Sequence, residues 1–286
     1  MTKLKGIFKL IRVKQWVKNL FVFAPIIFAN KFLEFDLIKL TVLAFVSFCF
    51  ISSSVYILND ISDIEKDKLH PKKKNRPLAS GLIKPAEATV YALILLSLSI
   101  LISLDINIFV TIILLLYLGN NVFYTFIGKN YALIDVFQIS IGFILRMLAG
   151  AVAINVEPSK WILLCTLFLT LFLGFGKRRG ELIDLKEEKD NHRKSLMRYT
   201  TKLLETFLTI SLSCSIVFYA LYTVIGASYE YMYISNIFTI YALFRYYVLL
   251  LDNKENSNPS DLIISDIQIW LCAFLWGASV IFAIMV

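Results

Sequence analysis

Eight apolar runs of roughly twenty residues each fix what this chain can become, because a helix needs about 20 residues to cross a hydrocarbon core of about 30 Å. They fall near residues 38–58, 86–104, 106–126, 133–154, 159–176, 203–226, 229–251 and 262–286. A ninth run, about Trp16 to Leu33, is shorter and carries Pro25. With 58% hydrophobic residues and a mean hydropathy of +0.71, the 286 residues could not cover their apolar side chains in water. The expected fold class is an all-α integral membrane protein, a single transmembrane domain over 1–286 with no soluble domain.

Charge decides the ninth run, because cytoplasmic loops collect Lys and Arg. With nine spans, 24 of the 29 basic residues fall on one side of the bilayer and only Lys31, Lys39 and Lys160 on the other; Arg146 and Arg245 lie inside helices. Dropping the first span would set the basic N-terminus across the membrane from the other basic loops. The expectation is nine transmembrane helices in a cell (inner) membrane, N-terminus cytoplasmic and C-terminus outside. Residues 1–18 read as a basic amphipathic segment lying along the headgroups, with no small-residue cleavage site after it. Cys49, Cys165, Cys214 and Cys272 sit inside apolar runs without metal or disulfide spacing, which makes them packing residues. Two long polar connections, 59–85 and 177–202, share the cytoplasmic side and form a weak internal repeat.

The first connection opens with Asn59-Asp60-Ile61-Ser62-Asp63-Ile64-Glu65-Lys66-Asp67. Asp60, Asp63 and Asp67, at i, i+3 and i+7, share one helical face with Asn59 at its edge. Three like charges repel unless a cation joins them, and Mg²⁺ favours one or two carboxylates plus water and phosphate oxygens. A solvated helix end is the plainer reading, but aspartates there oppose the helix macrodipole. Lys72, Lys73, Lys74 and Arg76 follow, and Arg76, beside Pro77, offers the bidentate fork that phosphate accepts. The lysines serve equally well as orientation signals.

The second connection begins Lys177-Arg178-Arg179-Gly180-Glu181-Leu182-Ile183-Asp184. Glu181 and Asp184 are again three apart, with Lys177 one turn before Glu181, so acid and base could face a shared anion and metal; the alternative is a charged surface helix. Tyr124, Lys129 and Asp135 cluster at two helix ends, with Asn120, Asn121 and Gln138 at similar depth. Arg146 is near the middle of its span, where Arg costs at least about 2.5 to 3.5 kcal/mol on insertion scales. A lipid phosphate or an intramembrane carboxylate would offset that cost. Arg245 is near enough to its helix end to snorkel.

The pattern NDxxDxxxD, the Tyr124/Lys129/Asp135 spacing and nine spans resemble, over nearly the whole chain, the UbiA superfamily of intramembrane prenyltransferases. Residues 12–19 (RVKQWVKN), 70–81 (HPKKKNRPLASG), 141–146 (IGFILR) and 176–182 (GKRRGEL) resemble a narrower branch, the decaprenyl-phosphate phosphoribosyltransferases. The chain departs from the wider superfamily at 177–184, where the usual second DxxxD motif is replaced by more cations and fewer acids. That suits a donor with an additional phosphate.

The resemblance implies nine helices around a central cavity and Mg²⁺-dependent transfer of a 5-phosphoribosyl group from phosphoribosyl pyrophosphate to a polyprenyl phosphate. In this reading Asn59, Asp60, Asp63 and Asp67 hold the metal, Asp60 and Asp63 are catalytic, and Glu181 and Asp184 are further metal candidates. Arg76, Lys129, Lys177 and Arg178 would bind the donor's phosphates, and Tyr124 is a further substrate-binding candidate. Lys14, Lys18 and Arg146 are unranked candidates for the lipid phosphate. The bilayer is a partner and nucleic acid is not. Two rivals stand beside it: an aromatic or quinone prenyltransferase with a polyprenyl diphosphate donor, and a lipid-phosphate or Mg²⁺ carrier without chemistry.

Overall fold

The computed structural model describes residues 3–69, 73–184, 195–227, 229–252 and 265–286, and among these the secondary structure is helical with no strand. Among the described residues eight helices are long and apolar enough to cross a membrane, and each overlays one of the eight long runs. The chain divides into two compact units, Met1–Phe126 with Leu145–Glu157, and Ile127–Ile144 with Pro158–Val286.

In the first unit, α1 (Lys3–Leu10) buries Gly6 and Leu10 while Leu4 and Phe8 stay exposed. Leu10 joins Ile57, Leu78, Ile83 and Ala88 in an apolar cluster. Gly6 allows this approach, since a Cβ there would come within 2.7 Å of Leu82.

The ninth run forms as a 3₁₀ helix, Val13–Phe23, followed by α2 (Ala24–Phe28), with Pro25 in its first turn. The 3₁₀ form is the longer per residue. At about 2.0 Å per residue its 11 residues rise about 22 Å, where an α-helix of the same length would rise about 17 Å. Residues three apart eclipse on a 3₁₀ helix, which lines up Trp16, Asn19 and Val22. Trp16 donates to Ser53 Oγ at 3.0 Å and Asn19 to Cys49 Sγ at 3.3 Å and Ser52 Oγ at 3.2 Å. The Val22 carbonyl lies so close to Gly150 that a Cβ there would sit 2.0 Å from it.

Helix α3 (Phe35–Ser62), 28 residues or about 42 Å, is the axis of this unit. Its buried serines let neighbours approach closely, as small residues do between membrane helices, and Ser99 donates to the Ser47 carbonyl at 2.8 Å. A short α4 (Ile64–Leu69) follows, then α5 (Pro85–Ile106) and α6 (Ile108–Phe126). At the α5–α6 turn, Asn107 accepts from Val110 N and donates to the Val152 carbonyl.

Helix α7 (Ile134–Ala153) runs through both units. The second unit continues with α8 (Lys160–Asp184), α9 (Thr201–Leu221), a π turn at Tyr222–Gly226, a 3₁₀ turn at Glu230–Ile234, α10 (Ser235–Asp252) and α11 (Ile267–Met285). Val136, Phe172, Leu204, Leu208, Tyr246 and Leu250 are central to its core. Thr200 caps α9 through Leu203 N, and Asp266 caps α11 through Ile269 N.

The polar connection expected from residue 177 starts later than that. Helix α8 continues to Asp184, because Lys, Arg, Glu and Leu are good helix formers and Arg178 pairs with Glu181 at i, i+3. Residues 185–194 and 70–72, parts of the two expected loops, lie outside the described residues.

Candidate active site

The acidic end of α3 is bent. The helix ends at Ser62, and Asp63 (φ −104°, ψ 10°) joins it to α4. Helical hydrogen bonds nevertheless continue across the joint, Asp63 N to the Asn59 carbonyl at 3.0 Å and Asp67 N to the Asp63 carbonyl at 2.8 Å. The single straight face expected for Asp60, Asp63 and Asp67 is corrected accordingly. Asp60 and Asp67 are buried and converge, while Asp63 is half-buried at the bend.

What joins the two buried acids is a guanidinium. Arg76 Nη1 donates to Asp60 Oδ1 at 3.0 Å and to Asp67 Oδ2 at 2.6 Å. Arg12 Nη2 donates to the same Asp60 oxygen, and its guanidinium lies 4.9 Å from the Tyr56 ring centroid. Arg12 is in the left-handed region at φ 53°, an uncommon conformation for a side chain of this size, at the joint between α1 and the 3₁₀ helix. Arg76 is placed by a tight turn: its N–H reaches the Lys73 carbonyl, Ile83 N reaches the Pro77 carbonyl, and Lys9 holds the Asn75 carbonyl at 2.9 Å. Asn59 Oδ1 accepts from the Thr125 hydroxyl at 3.4 Å.

The expected metal-binding set is thus half assembled. No group of three Asp, Glu, His or Cys side chains among the described residues gathers around one point. Two carboxylate oxygens do lie within 3.0 Å of one cationic nitrogen, and carboxylate oxygens are hard donors of the kind Mg²⁺ takes. These residues fit the ion in chemistry, with Arg76 standing in for a cation.

Of the other candidates in this unit, Lys14 is exposed and Lys18 and Tyr124 are half-buried. Arg146 is buried. It donates from Nε to Asn19 Oδ1 at 2.7 Å and from Nη2 to the Tyr117 hydroxyl at 2.9 Å, with the Tyr117 and Phe48 rings 4.8 and 5.7 Å away. An amide, a phenol and two ring faces therefore contribute to stabilising it within the apolar run.

The second unit holds a different acid cluster. Asp135 and Arg178 are both fully buried, with Arg178 Nε 2.7 Å from Asp135 Oδ2, and Arg178 Nη1 also pairs with Glu181. Tyr199 donates to Asp135 Oδ1 at 3.0 Å and accepts from Leu133 N at 2.6 Å. Burial pushes the Tyr199 hydroxyl above its usual range, so it keeps the proton it donates. Ser195 donates to Asp135 Oδ2 at 3.3 Å and to the Lys129 carbonyl at 3.0 Å. This network fixes Leu133 in the left-handed region (φ 69°) and, with it, the turn that carries the buried Lys129. Gly128 permits the turn, since any Cβ would collide with Gln138. Lys177 is exposed, 4.0 Å from Glu181. The Asp184 side chain lies outside the described residues.

Arg12, Ser195 and Tyr199 were not singled out by spacing. Arg12 did have a signal in the sequence, since it opens the RVKQWVKN segment. Ser195 and Tyr199 had none, because their partners lie 60 and 64 residues away.

Residues 19–277 match the model of the UbiA prenyltransferase family. The decaprenyl-phosphate phosphoribosyltransferase of Mycolicibacterium smegmatis is 35% identical over 76% of this chain and 70% of its own length. That of Corynebacterium glutamicum is 32% identical over 98% of this chain and 87% of its own. Among solved structures, one described for digeranylgeranylglyceryl phosphate synthase covers all of both chains at 26% identity and a TM-score of 0.69. A UbiA homologue from Archaeoglobus fulgidus bound to GPP and Mg²⁺ covers 98% of this chain and 100% of its own at 18% identity and a TM-score of 0.75.

Proposed function

Because this chain belongs to the UbiA prenyltransferase family, and is thereby a multi-pass membrane transferase, we propose that it moves a 5-phosphoribosyl group from phosphoribosyl pyrophosphate to a polyprenyl phosphate. The observation that carries this reading is the convergence of buried Asp60 and Asp67 on a single Arg76 nitrogen. It is supported by the names of relatives matched along nearly the whole chain, and by the cation-rich 177–184 segment.

When bound, Mg²⁺ would neutralise charge building on the departing diphosphate. Asp60, Asp67 and Asn59, with Asp63 beside them at the bend, are the residues that would hold it. Arg76 exchanges its carboxylate partners for a donor phosphate, and Arg12 keeps Asp60 oriented. In the second unit Arg178, buried on Asp135, steadies Glu181. The ribose C1–O bond to the diphosphate breaks and its electron pair leaves with pyrophosphate, as a lipid phosphate oxygen bonds to C1. The acceptor is already an anion, so no strong base is required. We place the N-terminus and the acidic end of α3 on the cytoplasmic side of an inner membrane.

Membranes containing the protein, given labelled phosphoribosyl pyrophosphate and polyprenyl phosphate, should yield a lipid whose mass matches 5-phosphoribosyl-1-phosphopolyprenol. Label entering lipid only with prenyl diphosphate and an aromatic acid would overturn the proposal in favour of an aromatic prenyltransferase.

A further inference from the structure

Helix α1 has two apolar faces. Gly6 and Leu10 are buried on one, Gly6 against Leu82 and Leu10 with Leu78 and Ile83. Leu4 and Phe8, one turn apart on the other, are 66% and 56% exposed. So short a helix does not hold its form alone in water, and α1 depends on what lies against it.

Polar ties make α1 and its continuation a strap beside the acidic end of α3. Lys3 pairs with Glu87 in the first turn of α5 at 3.1 Å, and Lys9 donates to the Asn75 carbonyl at 2.9 Å. The Ser53 hydroxyl on α3 donates to the Ile11 carbonyl at 2.8 Å, and Arg12 donates to Asp60. Both guanidiniums on Asp60 are therefore reached from this strap, since Arg12 belongs to it and Asn75 is the residue before Arg76. The Lys3 and Lys9 ties are exposed, and exposed charged contacts hold little by themselves. An occupant on the outer face of α1 adds the hold they lack.

The chemistry of that face selects the occupant. The chain passes from α1 directly into the 3₁₀ helix, where Val17 and Leu20 are 59% and 51% exposed within an apolar run. Lys5 and Lys14 are exposed on either side of the joint. Cations flanking an apolar helix face at the edge of a membrane segment suit an anionic bilayer interface, whereas a second copy of this chain would bring the same cations.

We propose that Leu4 and Phe8 seat in the anionic headgroup interface of the bilayer, and that this seating, carried through Lys9 and Arg12, sets where the Arg76 and Arg12 guanidiniums stand on Asp60. The inference rests on the Asp60 cluster being the working site, as proposed above, and not on which donor that site takes.

The test is hydrogen exchange in nanodiscs holding one copy of the protein, which needs no turnover. Leu4→Ser/Phe8→Ser leaves the inward packing of α1 intact and should speed amide exchange over residues 3–12 by about tenfold. It should also speed the Arg76 and Ser80 amides, which neither substitution touches; Leu4→Ile/Phe8→Leu should restore both regions. Lys9→Met should loosen the Arg76 turn while the start of α1 stays protected. Wild-type α1 should exchange more slowly in discs doped with phosphatidylglycerol than in phosphatidylcholine alone, and Lys5→Gln should narrow that difference. Wild-type exchange in the serine variant overturns the seating, as does protection that appears only with two copies per disc, which would make the occupant another copy. Equal protection in both lipids overturns the anionic interface, and faster exchange confined to residues 3–12 overturns the coupling. If the expected pattern holds but phosphoribosyl pyrophosphate does not bind, the strap stands and the reaction assignment falls.

Discussion

Asp60 and Asp135 are both buried aspartates paired with arginine, yet they are held in opposite ways. The partners of Asp60, Arg12 and Arg76, keep 23% and 26% of their side-chain surface exposed and arrive from a helix joint and a loop turn. The partner of Asp135, Arg178, keeps 1% and projects from the last two turns of α8, while Tyr199 and Ser195 fill the remaining carboxylate valences. A guanidinium that can reach water can let go of its acid at little cost, whereas a sealed one cannot. The first pair suits exchange with a ligand and the second suits holding a frame.

The largest effect expected from this contrast is on folding. Arg178→Ala strands a buried carboxylate, and the loss should be about 3 to 5 kcal/mol, read as a large fall in detergent melting temperature or in folded yield. A melt close to wild type would erase the distinction between the clusters. Asp60→Ala should do the reverse, with turnover falling by about 10² to 10³ and the melting temperature changing little, because Arg12 and Arg76 regain water. Activity near wild type in Asp60→Ala would contradict its assigned role.

Tyr199→Phe sharpens the frame side of the comparison. It leaves the Leu133 N–H without its acceptor and should cost about 1 to 3 kcal/mol, measurable by chemical denaturation, with a proportionate drop in activity only if the Lys129 turn loosens. The smallest effect is expected at Asp266, whose carboxyl the hydrogen-bonded Arg245 guanidinium holds below its usual range. A lowered folded pKa gives stability above the ordinary aspartate range that is lost as pH falls through it. The melting difference between wild type and Asp266→Asn should therefore be present at neutral pH and vanish in acid; a difference that grows in acid would reverse the sign.

Much of this frame was legible beforehand. The eight long runs became eight helices, and the basic loops, the Asn59–Asp67 acids and Arg76 were recognisable as a charged group at a helix end. The bend at Asp63 was not, because a change of helix axis at one residue leaves no mark in spacing. Nor was the 3₁₀ form of residues 13–23, which depends on Trp16, Asn19 and Val22 finding α3 and Gly150. The continuation of α8 to Asp184 was half visible in the i, i+3 pairing of its charges, but polarity alone had suggested a loop.

Hydropathy is a property of contiguous residues measured against a slab of fixed thickness, so this chain's sequence alone determined that it spans a membrane and where its helices run. Which acid meets which base depends on side chains brought together from 9, 16 or 48 residues apart. Only the tertiary packing decided that Arg12 and Arg76 share Asp60, that Arg178 is sealed onto Asp135, and that Arg146 is held by an amide and a phenol. Those distances in space are set by how whole helices pack, and no local stretch of residues encodes them.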